Sequence, residues 1–313
     1  MLRLGFSGRF LGQPRLLTHD SARAGRRPHL SLSLLYLRDV LGQLERQAVR
    51  LYRLPAQLAP YLTDPLRPRF HDQIAECADE LAELGALAAA IPVRLTMHLP
   101  ASVILSAPDA ALAARSRHEI EMHARLLQAF GLADPVLVAH IGGAYDDKPA
   151  ALARCVERVG QLSAAARAAL ALEPDGRVWS LVDALHVHAQ SGVPIVFDHL
   201  HHQLYNPHGL AAAEALDYAL ATWPAGRRPK AHFSSPRTEL RIAAVPGGQP
   251  RLQAPTWHEH SDYAHPFELL RAVRLPARRP YDLMLEVKAG DLALLRARED
   301  IARFGPELAG QIE

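Results

Sequence analysis

The chain has 313 residues, 49% hydrophobic and 22% charged, a composition that excludes collagen, coiled coil and extended disorder. Its 35 Lys+Arg against 33 Asp+Glu leave a formal net charge of +2, so any polyanion must be met by a local basic patch, not by bulk charge. Length alone allows two domains, but α/β barrels run as one domain at this size, and the element pattern must decide.

In chain order, Met1 leads directly into a strand-like run, Leu2 to Ser7, with no signal-peptide apolar region before it. A helical pattern over Leu34 to Gln47 follows, then the run Val49 to Leu54, a helix over His71 to Ala89, and the run Val93 to Leu99. Asp109 to Phe130 reads as helix, Val136 to Ile141 as strand, Pro149 to Ala168 as helix and Ala169 to Pro174 as strand. Ser180, with Asp183 three residues on, looks like an N-cap pair opening a helix over Leu181 to Gln190. The run Pro194 to Leu200, a helix over Ala211 to Ala221 and the run Pro229 to Ser234 come next. Residues 236–265, with Pro-Gly-Gly at Pro246 to Gly248, read as a long loop excursion; a helix over Pro266 to Val273, a strand over Asp282 to Lys288 and a helix over Asp291 to Phe304 complete the series.

Eight apolar runs, each separated from the next by room for a crossover helix, predict a single-domain (β/α)8 TIM barrel over residues 1–313, with an open doubly wound sheet as the competing architecture. Cys77 and Cys155 both fall in helical patterns, so neither a disulfide scaffold nor a thiolate metal cluster is expected, and a reducing, cytoplasmic setting fits. No stretch reaches about 18 apolar residues, so a membrane partner is not expected, and no protein partner is evident.

Histidine is over-represented, with 17 in the chain. Its places are informative, because barrels of this kind carry their chemistry at the C-terminal ends of the strands. The third and fourth runs finish on His98 and His140, the fifth on Glu173, the sixth on Asp198 to His202, the seventh on His232 and the eighth on Glu286. Six consecutive strands thus end in a potential ligand. Buried unpaired beside an apolar core each would be costly, whereas shared divalent ions would compensate them together. Glu173, Asp198 and Glu286 suit bridging positions, and His98, His140, His201 and His232 terminal ones. His199 and His202 read as outer residues of the sixth cluster, and His260 as a loop histidine able to close the site. An imidazole and carboxylate set suits manganese, zinc or iron.

These residues resemble a family. Leu51-Tyr52-Arg53, Thr96-Met97-His98, His140-Ile141-Gly142-Gly143-Ala144-Tyr145 with Lys148, Leu172-Glu173-Pro174-Asp175, Phe197 to His202, Lys230 to Ser235, His260-Ser261-Asp262-Tyr263 and Leu285 to Lys288 stand in the order found in the UV damage endonucleases, barrels related to the AP endonuclease IV family. The resemblance implies a DNA repair endonuclease that nicks on the 5′ side of a lesion in double-stranded DNA by metal-activated water, using two or three divalent ions, manganese foremost. Carried over by motif, the ligands are His98, His140, Glu173, Asp198, His201, His232, His260 and Glu286. Asp64, in Thr63-Asp64-Pro65, stands where relatives carry histidine. Catalysis falls to Glu173, Glu286 and Lys230, the last matching a lysine that relatives can carboxylate.

The resemblance also has gaps. After His98 the family carries Gln and an aromatic that wedge into the duplex, whereas this chain has Leu99-Pro100-Ala101-Ser102. The wedge is therefore altered, with Phe10 or Tyr145 as substitutes. Arg53, Arg67 and Arg69, with Arg227 and Arg228 and an extension at Arg23, Arg26 and Arg27, are the expected phosphate contacts. The alternative is a sugar isomerase or epimerase of the xylose isomerase type, whose barrels also converge Glu, Asp and His on divalent ions. A binding or structural protein with a degenerate site is a third class, and the nearly full ligand set speaks against it.

Overall fold

The computed structural model describes residues 1–21, 27–243 and 247–313; Arg23, Arg26 and Pro246 lie outside them. Ten strands occur among the described residues: β1 (Arg3–Ser7), β2 (Leu51–Leu54), β3 (Arg94–His98), β4 (Val136–His140), β5 (Leu170–Glu173), β6 (Phe197–Asp198), β7 (Lys230–Phe233), β8 (Arg241–Ala243), β9 (Arg251–Gln253) and β10 (Asp282–Leu285). Eight form one sheet in the order β5-β4-β3-β2-β1-β10-β7-β6, every pairing parallel. The two ends meet at a parallel bridge between Leu172 and Ile195, where Leu172 N–H donates to Pro194 O at 2.9 Å and Val196 N–H to Leu172 O at 2.9 Å. With helices in the crossovers, this is the expected (β/α)8 TIM barrel.

Register decides what the barrel encloses, because side chains of directly paired parallel residues point to the same face. Thr96 pairs with Val136, His98 with Val138, Val138 with Ala171, and His140 with Glu173. Val136, Val138, Ala171 and Val196 accordingly form, with Trp223, a small apolar body apart from the main core. The alternate positions, such as Leu4, Phe6, Leu95, Met97 and Leu137, belong to the much larger core packed with the helices. Gly5 is required by this packing: a Cβ there would lie 2.4 Å from the carbonyl oxygen of Leu51.

The expected elements are present with shifted edges, each for a local reason. The sixth strand stops at Asp198 because its Oδ1 accepts the His201 N–H at 2.7 Å, capping a helix over His199–Leu204. The stretch His71 to Ala89 breaks at Cys77 into helices Gln73–Glu76 and Ala78–Ala90. Pro149 to Ala168 divides into Lys148–Gly160 and Ala164–Ala169, because Ser163 caps the second by accepting the Ala166 N–H at 3.1 Å. Both cysteines are buried and free. The excursion carries the antiparallel pair β8–β9 and returns at a bridge between Pro236 and His260. Fully buried Arg237 fastens it, its Nε 2.7 Å from Glu259 Oε2 and its N–H donating to Glu259 O at 2.7 Å.

At the N-terminal rim, Asp282 Oδ2 accepts from Arg94 at 2.7 Å and its Oδ1 lies 2.5 Å from Arg228 Nε. Asp134, just before β4, pairs with Arg94 and lies 2.6 Å from Arg227 Nε. This corrects two assignments. Arg227 and Arg228 precede β7, so they neutralise carboxylates at the end of the barrel opposite the strand-end histidines and cannot share a DNA face with them.

The helix Leu181–Ser191 opens with the reciprocal cap expected of Ser180 and Asp183: Ser180 Oγ accepts the Asp183 N–H at 3.3 Å, while Asp183 Oδ2 accepts the Ser180 N–H at 2.8 Å. Ser180→Ala should therefore cost about 1 kcal/mol. A urea melt should show a lower midpoint with an unchanged slope.

Candidate metal centre

At the C-terminal mouth, β3, β4, β5, β6, β7 and the turn after β10 deliver their terminal residues to one place. Four histidines share one arrangement. Nδ1–H donates to a main-chain carbonyl in each: His98 to Leu99 O at 2.7 Å, His140 to Glu173 O at 3.2 Å, His201 to Pro174 O at 2.7 Å and His260 to Glu286 O at 2.7 Å. A carbonyl can only accept, so each Nδ1 carries a proton and Nε2 is the nitrogen that a cation would meet, in exchange for the proton that His98 Nε2 now shares with Glu173. Neighbouring rings in the sequence His98, His140, His201, His260 have centroids 5.1, 5.8 and 6.4 Å apart. The turn after β5 passes close to His201 only because Gly176 lacks a side chain: with φ at +65°, its Cβ would lie 2.6 Å from His201 Cα.

Glu173 is fully buried at the centre of the set. Its Oε2 lies 2.8 Å from His98 Nε2, and its Oε1 lies 3.1 Å from His232 Nδ1 and 3.3 Å from His201 Nδ1. Donor atoms of His98, Glu173, His232 and Glu286 all fall within 4.8 Å of one another, as do those of Glu173, Asp198 and His201. Glu173 belongs to both groups, so it would be shared by any ions held there. The protein atoms leave Glu173 Oε1, Asp198 Oδ2 and both ring nitrogens of His232 buried without a hydrogen-bond partner. Buried acceptors are normally satisfied, so this concentration of orphans fits divalent ions as the missing partners. The donor set of imidazole and carboxylate suits them chemically.

The electrostatics agree. Burial would raise the Glu173 carboxyl, but His232, His140 and His201 outweigh it and hold the group well below the usual carboxylate range. Glu286 is likewise held low against burial, by His232 and Arg53. His201 is pushed up to about 10: burial opposes the charge, but Asp198 and Glu173 overcome it. His232 moves the other way, its burial prevailing over Glu173 and Glu286. Lys230 is fully buried, its Nζ donating to Thr96 Oγ1 at 3.1 Å, and burial with the nearby Arg53 charge brings it down to about 7.

The structure places the other named residues as follows. Arg53 pairs with Glu286 and lines, with His98, His140, His201 and His260, a cavity of about 410 Å³. Asp64 stands apart: its Oδ1 accepts the Leu66 N–H at 2.9 Å, its carboxylate pairs with Arg67, and it borders a separate cavity of about 730 Å³. Arg67 and Arg69 are exposed beside it, as is Arg27 near the N-terminus. Phe10 is corrected from wedge to core: it is 1% exposed, edge-on to Phe6 at 5.1 Å, and has no access to a duplex. Tyr145 is exposed at the end of the loop after β4. His199 and His202 pack on Phe197 at 4.8 and 5.2 Å, outside both ligand groups. Thr96 was not anticipated, although its place two residues before His98 puts it on the same face.

Metal loading should be visible in stability without any assay of activity. At a free ion concentration 100-fold above the dissociation constant, linkage gives about 2.7 kcal/mol. Chelated protein titrated with Mn²⁺ should melt higher, and Glu173→Gln should remove most of that gain, because the lost charge belongs to both groups. An unchanged gain would take Glu173 out of the cage.

Comparison with known proteins agrees with this architecture. The family model described as UV-endonuclease UvdE matches residues 18–307. A UV DNA damage endonuclease of Bacillus pumilus is 29% identical over 256 residues, covering 81% of this chain and 75% of its own length. One of Bacillus velezensis is 28% identical over 300 residues, covering 94% of this chain and 87% of its own. Among solved structures, SacUVDE superposes with a TM-score of 0.81 at 22% identity, covering 97% of this chain and 99% of that one. Endonuclease IV from Thermus thermophilus gives 0.59 at 14%, with 96% and 99% covered, and a D-psicose 3-epimerase from Clostridium cellulolyticum gives 0.56 at 13%, with 98% and 99% covered; these two likenesses are of fold. With the family model spanning nearly its whole length, the chain belongs to the UV-endonuclease UvdE family.

Proposed function

We propose that this chain is a metal-dependent, cytoplasmic DNA repair endonuclease, one barrel domain that nicks damaged double-stranded DNA on the 5′ side of the lesion. The observation that carries the reading is Glu173, shared by two ligand groups at the mouth of a barrel of this family. Two or three divalent ions, manganese foremost and zinc or iron as alternatives, would supply the Lewis acidity that activates water and neutralises phosphate charge. The residues that would hold them are His98, His140, Glu173, Asp198, His201, His232, His260 and Glu286. Asp64, tied into its own turn, would reach them only if that turn opened.

The chain's own groups have distinct tasks. The four Nδ1 anchors orient the imidazoles in advance, so little rearrangement accompanies binding. Arg53 holds Glu286 in place and offers its remaining donors to a phosphate at the mouth. Lys230 Nζ, brought near neutrality, can hold or release a proton, and its neutral form is the one that carboxylation requires. Arg67 and Arg69 supply cations on the same rim, and Tyr145 an exposed aromatic. No described helix is long and apolar enough to cross a membrane. The sugar-epimerase alternative is supported by fold alone, at 13% identity.

Incubation of Mn²⁺-loaded protein with UV-irradiated, abasic and undamaged supercoiled plasmid tests the reading. Irradiated plasmid should be relaxed first, with nicks mapping 5′ to lesions, and Glu173→Gln should be slower by a factor of about 10²–10³. A metal-loaded protein that nicks none of the three would overturn it.

A further inference from the structure

The turn between β2 and the helix Gln73–Glu76 follows the strand end that places Arg53 in the ligand cage, so it lies on the same face of the barrel. At its tip Leu66 is 86% exposed, the most exposed large apolar side chain among the described residues. Single exposed leucines are ordinary on protein surfaces, but this one is presented by a fixed turn. Asp64 Oδ1 accepts its N–H at 2.9 Å, the Arg67 N–H donates to Asp64 O at 3.0 Å, the His71 ring bonds the same carbonyl at 2.9 Å, and Pro65 and Pro68 flank it. On either side of that turn stands an aromatic foundation: Tyr61 and Phe70 have centroids 5.0 Å apart, Arg67 lies 4.2 Å over the Tyr61 ring, and Arg69 lies 4.9 Å over Phe70. Tyr61 takes a φ of +57°, which bulky residues rarely adopt and which the surrounding packing holds.

An apolar tip followed by two arginines, each laid over an aromatic ring, has the parts of an intercalating wedge: cations to meet phosphate while the side chain enters the base stack. Ala101 and Ser102, after β3, are too short for that task. Beside the tip, Tyr61 to Pro65 border the cavity of about 730 Å³, which shares the lining residues Ala56, Gln57 and Pro100 with the cavity lined by His98, His140, His201 and His260. We infer that Leu66 is the residue this protein inserts into duplex DNA at a lesion, with Arg67 and Arg69 as its phosphate anchors. The inference rests on the nuclease reading and adds to it the side chain that opens the duplex.

The test uses full-length Mn²⁺-loaded protein, a duplex holding one pyrimidine dimer with 2-aminopurine beside it, and the same lesion inside an already unpaired bubble. Wild-type protein should raise 2-aminopurine fluorescence before nicking. Leu66→Ala should lose at least fivefold of that rise and nick the duplex at least tenfold more slowly, yet cut the bubble within twofold of wild type; Leu66→Met should restore the duplex reaction. Equal activity of Leu66→Ala on both substrates would overturn the inference. So would an equal loss on both, which would make Leu66 a residue of fold or general binding. Wild-type protein that nicks neither substrate would sink the nuclease reading instead, and the fluorescence on binding would still decide the wedge.

Discussion

Three carboxylates and five imidazoles meet at one end of a barrel, with Glu173 and His232 fully buried among them. Such a gathering is tolerable only if positive charge is shared among its members. The protein supplies part of it, through Arg53 on Glu286 and the raised affinity of His201 for a proton. The rest is left open in a specific form: Glu173 Oε1, Asp198 Oδ2 and the ring nitrogens of His232 have no protein partner. Everything else at the mouth serves this deficit, from the carbonyls that fix the ring tautomers to the buried Arg237 that brings the excursion back at His260.

The two ends of the barrel solve the same problem differently. Toward the N-terminal rim, Asp282 and Asp134 are met by Arg94, Arg227 and Arg228, so charge is cancelled within the protein. At the C-terminal rim the carboxylates and imidazoles lack a full set of internal partners, and there their donor atoms converge closely enough to hold a cation.

Much of this was legible in the sequence. Short apolar runs mark the strands, and residues at strand ends fall on one mouth by topology, so the sequence alone gathers His98, His140, Glu173, Asp198, His201, His232 and Glu286. Failures occurred where position along the chain does not determine direction in space. Phe10 follows β1 on the correct side but turns inward onto Phe6; Arg227 and Arg228 sit just before a strand and so belong to the far rim. Asp64 holds the motif position where relatives carry histidine, yet a short acidic side chain followed by Pro-Leu-Arg satisfies its own turn first. Leu66 carries no signal in the sequence, because exposure of an apolar residue at a loop tip depends on how the loop is folded.

The barrel is joined between β5 and β6 by a single bridge at Leu172 and Ile195, the least stitched of its eight junctions. Glu173 and Asp198 stand immediately above it, one on each side. A cation held by both would act as a clasp across that seam, so that filling the centre and fastening the cylinder would be one event. Amide exchange at Leu172 and Val196 is where an emptied centre would first let the wall breathe.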